Sequence, residues 1–99
     1  MNSESKTIWK FSLRPAREQE IEVPLVTEIL SAGVQHGTDI VVWGRVFGQS
    51  VNDKKTESRR VFVFATGEEI ALSDWRRIEK FVDTVQIGGL VFHIFLGVR

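Results

Sequence analysis

At 99 residues the chain makes one domain, residues 1–99, with a modest core. Its 13 Lys+Arg balance 13 Asp+Glu, so it lacks the cationic excess on which a general nucleic-acid coat protein depends. It has no cysteine, which excludes disulfides and thiolate metal sites; no apolar run approaches the ~20 residues of a bilayer-spanning helix, and Met1–Lys6 lacks the apolar stretch of a signal peptide. A cytoplasmic location is expected, with no membrane partner.

Residues 1–5 are polar and read as a frayed end. Thr7 to Leu13 alternates, with Trp9, Phe11 and Leu13 on one face and Lys10 and Ser12 on the other, the pattern of a half-buried strand. Arg14-Pro15-Ala16-Arg17 turns the chain, because proline has no N–H to give to a ladder. Glu20 to Val23 alternates again, with Ile21 and Val23 inward and Glu20 and Glu22 outward, and Pro24 closes it. These two strands are expected to pair with each other. Glu28 to Gln35 is a third strand and Ile40 to Phe47 a fourth, joined by His36-Gly37-Thr38-Asp39. A two-residue Gly37-Thr38 loop sets Val34 against Val41 and Ala32 against Trp43. Ser31, Gly33, Gly44, Ile40 and Val42 then share the opposite face. Residues 48–58 are polar and read as a mobile loop.

Val61-Phe62-Val63-Phe64-Ala65 is apolar on both faces, which predicts a central strand covered on both sides, by this chain or by a partner subunit. Ser73 suits a helix N-cap and Asp74 a first turn, so one short helix is expected near residues 74–82. Trp75, Ile78 and Val82 would share its face, with Phe81 beside them. In the closing segment, Gly88-Gly89 stands between two β-branched and aromatic runs and predicts a hairpin with a two-residue turn. Val85, Ile87, Leu90, Phe92 and Ile94 then face the core. Val82, Thr84, Gln86, Val91, His93 and Phe95 face away, with His93 opposite Thr84. The fold class expected is mostly β, a small antiparallel sandwich or open barrel of six to seven strands with one short helix. The surplus apolar faces at 40–47 and 61–65 predict a homo-oligomer.

Several fragments carry a family resemblance: Lys6-Thr-Ile-Trp-Lys-Phe11, Glu22-Val-Pro24, Glu28-Ile-Leu-Ser-Ala-Gly-Val-Gln-His-Gly37, Val42-Trp-Gly44, Ala65-Thr-Gly67 and Thr84-Val-Gln-Ile-Gly-Gly-Leu-Val-Phe-His-Ile-Phe95. In this order they resemble a family of small proteins of unknown function, of about this length, found widely in bacteriophage and prophage genomes. The Thr-Gly step and the closing Thr-Val-Gln…Val-Phe-His-Ile-Phe run are its most specific parts. Family members often carry a histidine after the Thr-Gly step, where this chain has Glu68, and the segment Leu72 to Phe81 looks longer than usual. The resemblance implies a phage origin and a compact β-fold. It supplies no catalytic residue.

The candidate ligand-binding residues are Arg45, Arg59, Arg60, Arg76, Trp43, Trp75, Thr84 and His93. Arginine offers a planar fork that matches phosphate or carboxylate, the tryptophans offer stacking surfaces, and Thr84 with His93 makes a polar pair. Each has a plainer reading: solvated charges, core tryptophans, and a strand histidine satisfied by a hydroxyl. The small residues Ser31, Gly33 and Gly44 would admit another backbone or ring closely. His36 and His93 show no metal-ligand spacing. There is no Gly-x-Ser-x-Gly elbow and no phosphate loop, so no catalytic residue, metal or cofactor is expected. The function expected is that of a non-enzymatic phage accessory protein of anti-defence type, acting in the host-cell cytoplasm. Its concrete form is a sponge that sequesters a nucleotide-derived immune signal in pockets between subunits. The alternatives are a protein–protein inhibitor of a host defence or CRISPR effector, and a minor structural or housekeeping phage protein.

Overall fold

A computed structural model describes residues 1–99. The strands in chain order are β1 (Lys6–Ser12), β2 (Glu18–Pro24), β3 (Glu28–Gln35), β4 (Asp39–Phe47), β5 (Thr56–Ala65), β6 (Ile78–Ile87) and β7 (Leu90–Gly97). Two short helices, α1 (Gly48–Asn52) and α2 (Leu72–Trp75), lie between them. The strands form two antiparallel sheets, ordered β1-β4-β3 and β2-β5-β7-β6. Neither closes into a barrel, and no helix is long and apolar enough to cross a membrane.

The core lies between the sheets and draws on the inward positions of six strands: Ile21, Val23, Ile29, Val42, Val61, Val85, Ile94 and Leu96. Strict alternation in β2 produces its share, since Ile21 and Val23 are buried while Glu20 and Glu22 are exposed. Contrary to expectation, β1 and β2 do not pair. β1 bonds to β4 and β2 to β5, so Leu13–Arg17 carries the chain from one sheet to the other. Buried Gln19 fixes this crossing, accepting the Arg14 N–H at 2.9 Å and donating to the Arg14 carbonyl at 2.8 Å.

The β3–β4 hairpin is one residue out of the expected register. Val34 opposes Ile40, Gly33 opposes Val41, Ala32 opposes Val42 and Ser31 opposes Trp43. Its loop has three residues, with His36 (φ 54°) and Gly37 (φ 78°) both left-handed. This register turns Val34, Ala32, Ile40 and Val42 together toward the core. The patch of small residues is therefore split. Ser31 and Gly33 lie beside Trp43 on the outer face, whereas Gly44 faces inward beneath Phe11 and Thr27.

Residues 48–58, expected as a mobile loop, are α1 followed by a tight turn and the start of β5. The segment expected to fray, residues 1–5, is a turn held against α1. Ser5 O accepts the Gly48 N–H at 2.9 Å, and Asn52 Nδ2 donates to Met1 O at 2.6 Å. Position 48 has to be glycine here, because a Cβ would stand 1.8 Å from Asn2 O.

The helix expected near 74–82 stops at Trp75, and from Ile78 the chain is strand. Trp75, Ile78 and Val82 therefore share no helical face. β7 is long enough to pair as far as Ile78↔Gly97, and the ladder it offers outcompetes a single amphipathic turn. Register shifts at Glu79 and Val82 accommodate the irregular pattern. The second returns Val82 to the core, where it packs rather than lying beside Thr84. The hairpin itself pairs as expected, with Ile87↔Leu90 and Thr84↔His93, but Leu90, expected to face the core, is exposed at its tip.

The doubly apolar strand β5 is covered by its own chain. Val61 faces the core, while Phe62 and Phe64 face outward and are still fully buried. Trp75 lies 6.3 Å from Phe64 and 5.5 Å from Phe95, centroid to centroid. The Arg17 and Arg77 guanidinium groups lie over Phe64 and Phe62 at 4.7 and 5.1 Å. Trp75, Arg77 and Arg17 thus roof the aromatic face. At one margin of the sandwich β6 ties the sheets together: Lys80 Nζ donates to Ile29 O at 3.0 Å and Asp83 accepts the Ala32 N–H at 3.2 Å. The register shift at Leu30 separates these two backbone groups on β3.

Candidate binding cleft

A cleft of about 520 Å³ opens at one end of the sandwich. Five separate segments build it: the Leu13–Arg17 crossing, the β3–β4 turn at Thr38-Asp39-Ile40, the end of β5, the loop at Glu68, and the β6–β7 hairpin through Ile87 and Phe92. Leu13, Ile40, Val63, Ile87 and Phe92 give it an apolar lining, and Arg14, Arg17, Asp39 and Glu68 give it polar walls. Both hairpins contribute because alternation turns their apolar residues inward.

Most of these charges are already matched. Arg17 is hydrogen-bonded to Glu68 and lies 3.3 Å from Asp74. The Arg17 hydrogen bond, with a second from the Ala65 N–H, holds the Glu68 carboxyl below the usual carboxylate range. The chain of ion pairs runs on from Asp74 to Arg77, then Glu18, Arg60 and Glu20. The hydrogen bond from Arg77 pulls Glu18 down in the same way, with Arg60 assisting. Asp39 Oδ2 lies 3.2 Å from His36 Nδ1. Arg14 differs: its backbone is pinned by Gln19, and its exposed guanidinium pairs with no carboxylate. It is the unpaired cation of the cleft.

The eight residues singled out from sequence lie elsewhere, and none lines this cleft. Trp43 and Arg45 are on the outer face of the three-stranded sheet. Trp43 Nε1 lies against Gly33, and Arg45 pairs with Glu28 at 2.8 Å. Arg59 and Arg60 diverge. Arg60 is on the outer face between Glu18 and Glu20, at 2.5 and 2.6 Å. Arg59 turns inward, 3% exposed, with Glu79 at 2.9 Å and its Nε without a partner. Arg76 is exposed and unpaired. Trp75, Thr84 and His93 do share one surface, the outer face of the four-stranded sheet. There His93 is held on both ring nitrogens, by Thr84 Oγ1 at 3.0 Å and by Thr66 Oγ1 at 2.7 Å. Thr66 was missed because in sequence it stood out only as part of the Thr-Gly step of the family resemblance. Arg14 and Arg17 were missed because Pro15 marked them only as a turn; two arginines flanking a sheet crossing are the signal that was there to read. No group of three or more His, Asp or Glu side chains converges as a metal site.

Residues 4–99 match a family model described as a domain of unknown function, DUF7352. The chain belongs to the DUF7352 family. The match spans all seven strands and every residue of the cleft, so in this DUF7352 domain the cleft is part of the body of the fold. Neither the curated proteins nor the solved structures contain a match.

Proposed function

We propose that this chain is a non-catalytic binding module whose cleft holds a small amphipathic anion. The observation that carries the reading is an unpaired Arg14 at an apolar-lined cleft of about 520 Å³. That volume falls within the range of small-molecule sites, and a guanidinium free of acidic partners is ready for a phosphate or carboxylate. The apolar body of the ligand rests on Leu13, Ile40 and Phe92, and its acid group meets Arg14. A nucleotide-derived compound joins a flat base to an anionic group in this way. The fuller form of the proposal is therefore a phage-encoded anti-defence protein that sequesters such a signal in the host cytoplasm. Its phage origin rests on the sequence resemblance, and its pocket is formed within one chain.

Isothermal titration against cyclic nucleotides and ADP-ribose derivatives tests the reading. Saturable heat is expected without chemical change of the ligand, and it is lost in Arg14→Glu. Heat from none of them, or equal heat from the variant, removes the proposal. A second reading, a protein–protein inhibitor, is favoured by one observation: Leu72, Trp75 and Phe81 are 64%, 45% and 54% exposed. Loss of host-defence inhibition in Phe81→Asp, with Arg14→Glu still active, would select it.

A further inference from the structure

Two sheet edges are left open on the same side of the molecule. β1 bonds only to β4 and β2 only to β5, and no backbone hydrogen bond joins β1 to β2. The opposite margin is closed by Lys80 and Asp83. Between the open edges runs a groove of about 430 Å³, with Phe11 and Ile21 at its base, Lys10, Ser12, Glu20 and Glu22 along its sides, and Arg14, which it shares with the cleft, adding a further cation on the β1 side. β1 is exposed at every position but Phe11. A bare strand edge of this kind is a template for another strand.

The charges on the two edges select the occupant. Lys6 and Lys10 lie on the outer face of β1 and make no ion pair; Lys6 rests over the Phe47 ring, and Lys10 donates to Gln35 at 2.9 Å. β2 carries Glu18, Glu20 and Glu22 on its outer face. Glu22 has only hydroxyl partners, Thr56 and Ser58. A twofold axis perpendicular to the strands would set β1 against its own copy, lysine facing lysine, and β2 against its own copy, glutamate facing glutamate. Like charges across a ladder repel. A twofold axis parallel to the strands instead sets β1 against the second copy's β2 at both edges at once, with lysines facing glutamates. The pairing is antiparallel, because a short reversing turn joins β1 to β2.

We propose that this groove is the seat of a second copy of the chain, in a closed dimer with β1 of each copy paired to β2 of the other. The three-stranded sheet of one copy then continues into the four-stranded sheet of its partner. Phe11 and Ile21 are covered, and both open edges are satisfied by one self-complementary interface.

Sedimentation equilibrium of the full chain tests this, with far-UV circular dichroism confirming that each variant is folded. The wild type is expected at twice 11.3 kDa. Lys10→Glu, a change on an exposed strand, sets glutamate against glutamate at both edges and is expected to raise the dimer Kd about tenfold. Lys10→Glu combined with Glu22→Lys in one chain restores opposite charges and brings the Kd back toward the wild-type value. A wild type that stays monomeric into the millimolar range overturns the proposal. So does a dimer indifferent to Lys10→Glu, or a double variant that dimerises no better than Lys10→Glu alone.

Discussion

Gly44 gives the sharpest test of how the two sheets meet. A Cβ at this position would stand 2.8 Å from Thr27 Cγ2 and 2.9 Å from Phe11 Cε2. Thr27 is 1% exposed and its hydroxyl donates to Pro24 O at 2.6 Å, so it has little freedom to withdraw. Overpacking of this kind costs about 1–3 kcal/mol, and Gly44→Ala is expected near the middle, about 2 kcal/mol. Thr27→Ser keeps the hydroxyl and removes the offending methyl, at a cost of about 1 kcal/mol. If the two groups collide, the double variant loses about 2 rather than about 3 kcal/mol, a coupling of about 1 kcal/mol. Urea unfolding with an unchanged m-value reads all three. Additivity within about 0.5 kcal/mol, or a neutral Gly44→Ala, would show that Gly44 does not lie beneath Thr27 and Phe11. The register of β4 against both its neighbours would then be wrong.

Other consequences follow from the ion-pair chain, the β3–β6 seam and the aromatic roof. Arg77 and Arg17 hold Glu18 and Glu68 below the ordinary carboxyl value of 4.5. Their stabilisation is therefore fully present above about pH 4.5 and is lost as pH falls through the depressed folded values. Wild-type stability is expected to fall more steeply below pH 4.5 than that of Glu68→Gln; parallel acid profiles would contradict this. Asp83→Ala strips the Ala32 N–H of its acceptor, with an expected cost of about 1–3 kcal/mol. The Ala32 amide then exchanges faster with solvent, and unchanged protection would refute the seam. Trp75→Ala uncovers Phe64 and Phe95 and is expected to cost about 2 kcal/mol without changing the subunit count. Dissociation of a dimer instead would mean that a partner copy covers this face.

Local features of the chain were legible wherever one residue fixed the geometry. Gly88-Gly89 admits one tight turn, and the facing of His93 and Thr84 follows from it. His36-Gly37-Thr38 did not settle the loop length, because three adjacent residues suit a turn, and the one-residue ambiguity exchanged the neighbours of Ala32 and Val34. Ser73-Asp74 signalled a helix here, but Ser73 is not its N-cap: α2 begins at Leu72 after Ala71, with no side-chain cap, and the long β7 ladder drew Ile78–Val82 into a strand. The pairing of β1 with β4 joins residues from Ser12↔Val41 to Lys6↔Phe47, far apart in the chain, and left no local trace. The same holds for the charges. Arg59-Arg60 reads as a basic cluster in sequence, yet alternation sends the two side chains to opposite faces, and Glu18, Glu20 and Glu79 from other strands neutralise them. The cleft was illegible because five separate segments assemble it and none carries a motif by itself.

The binding proposal is tested most directly by mapping backbone amide shifts while titrating the isotopically labelled protein with an ADP-ribose or cyclic nucleotide probe. Occupation of the cleft predicts saturable shifts at Arg14, Arg17, Thr38 to Ile40, Ala65 and Phe92. Shifts confined to the Trp43–Arg45 face or to the Trp75–His93 face, or no shifts with any probe, would contradict it.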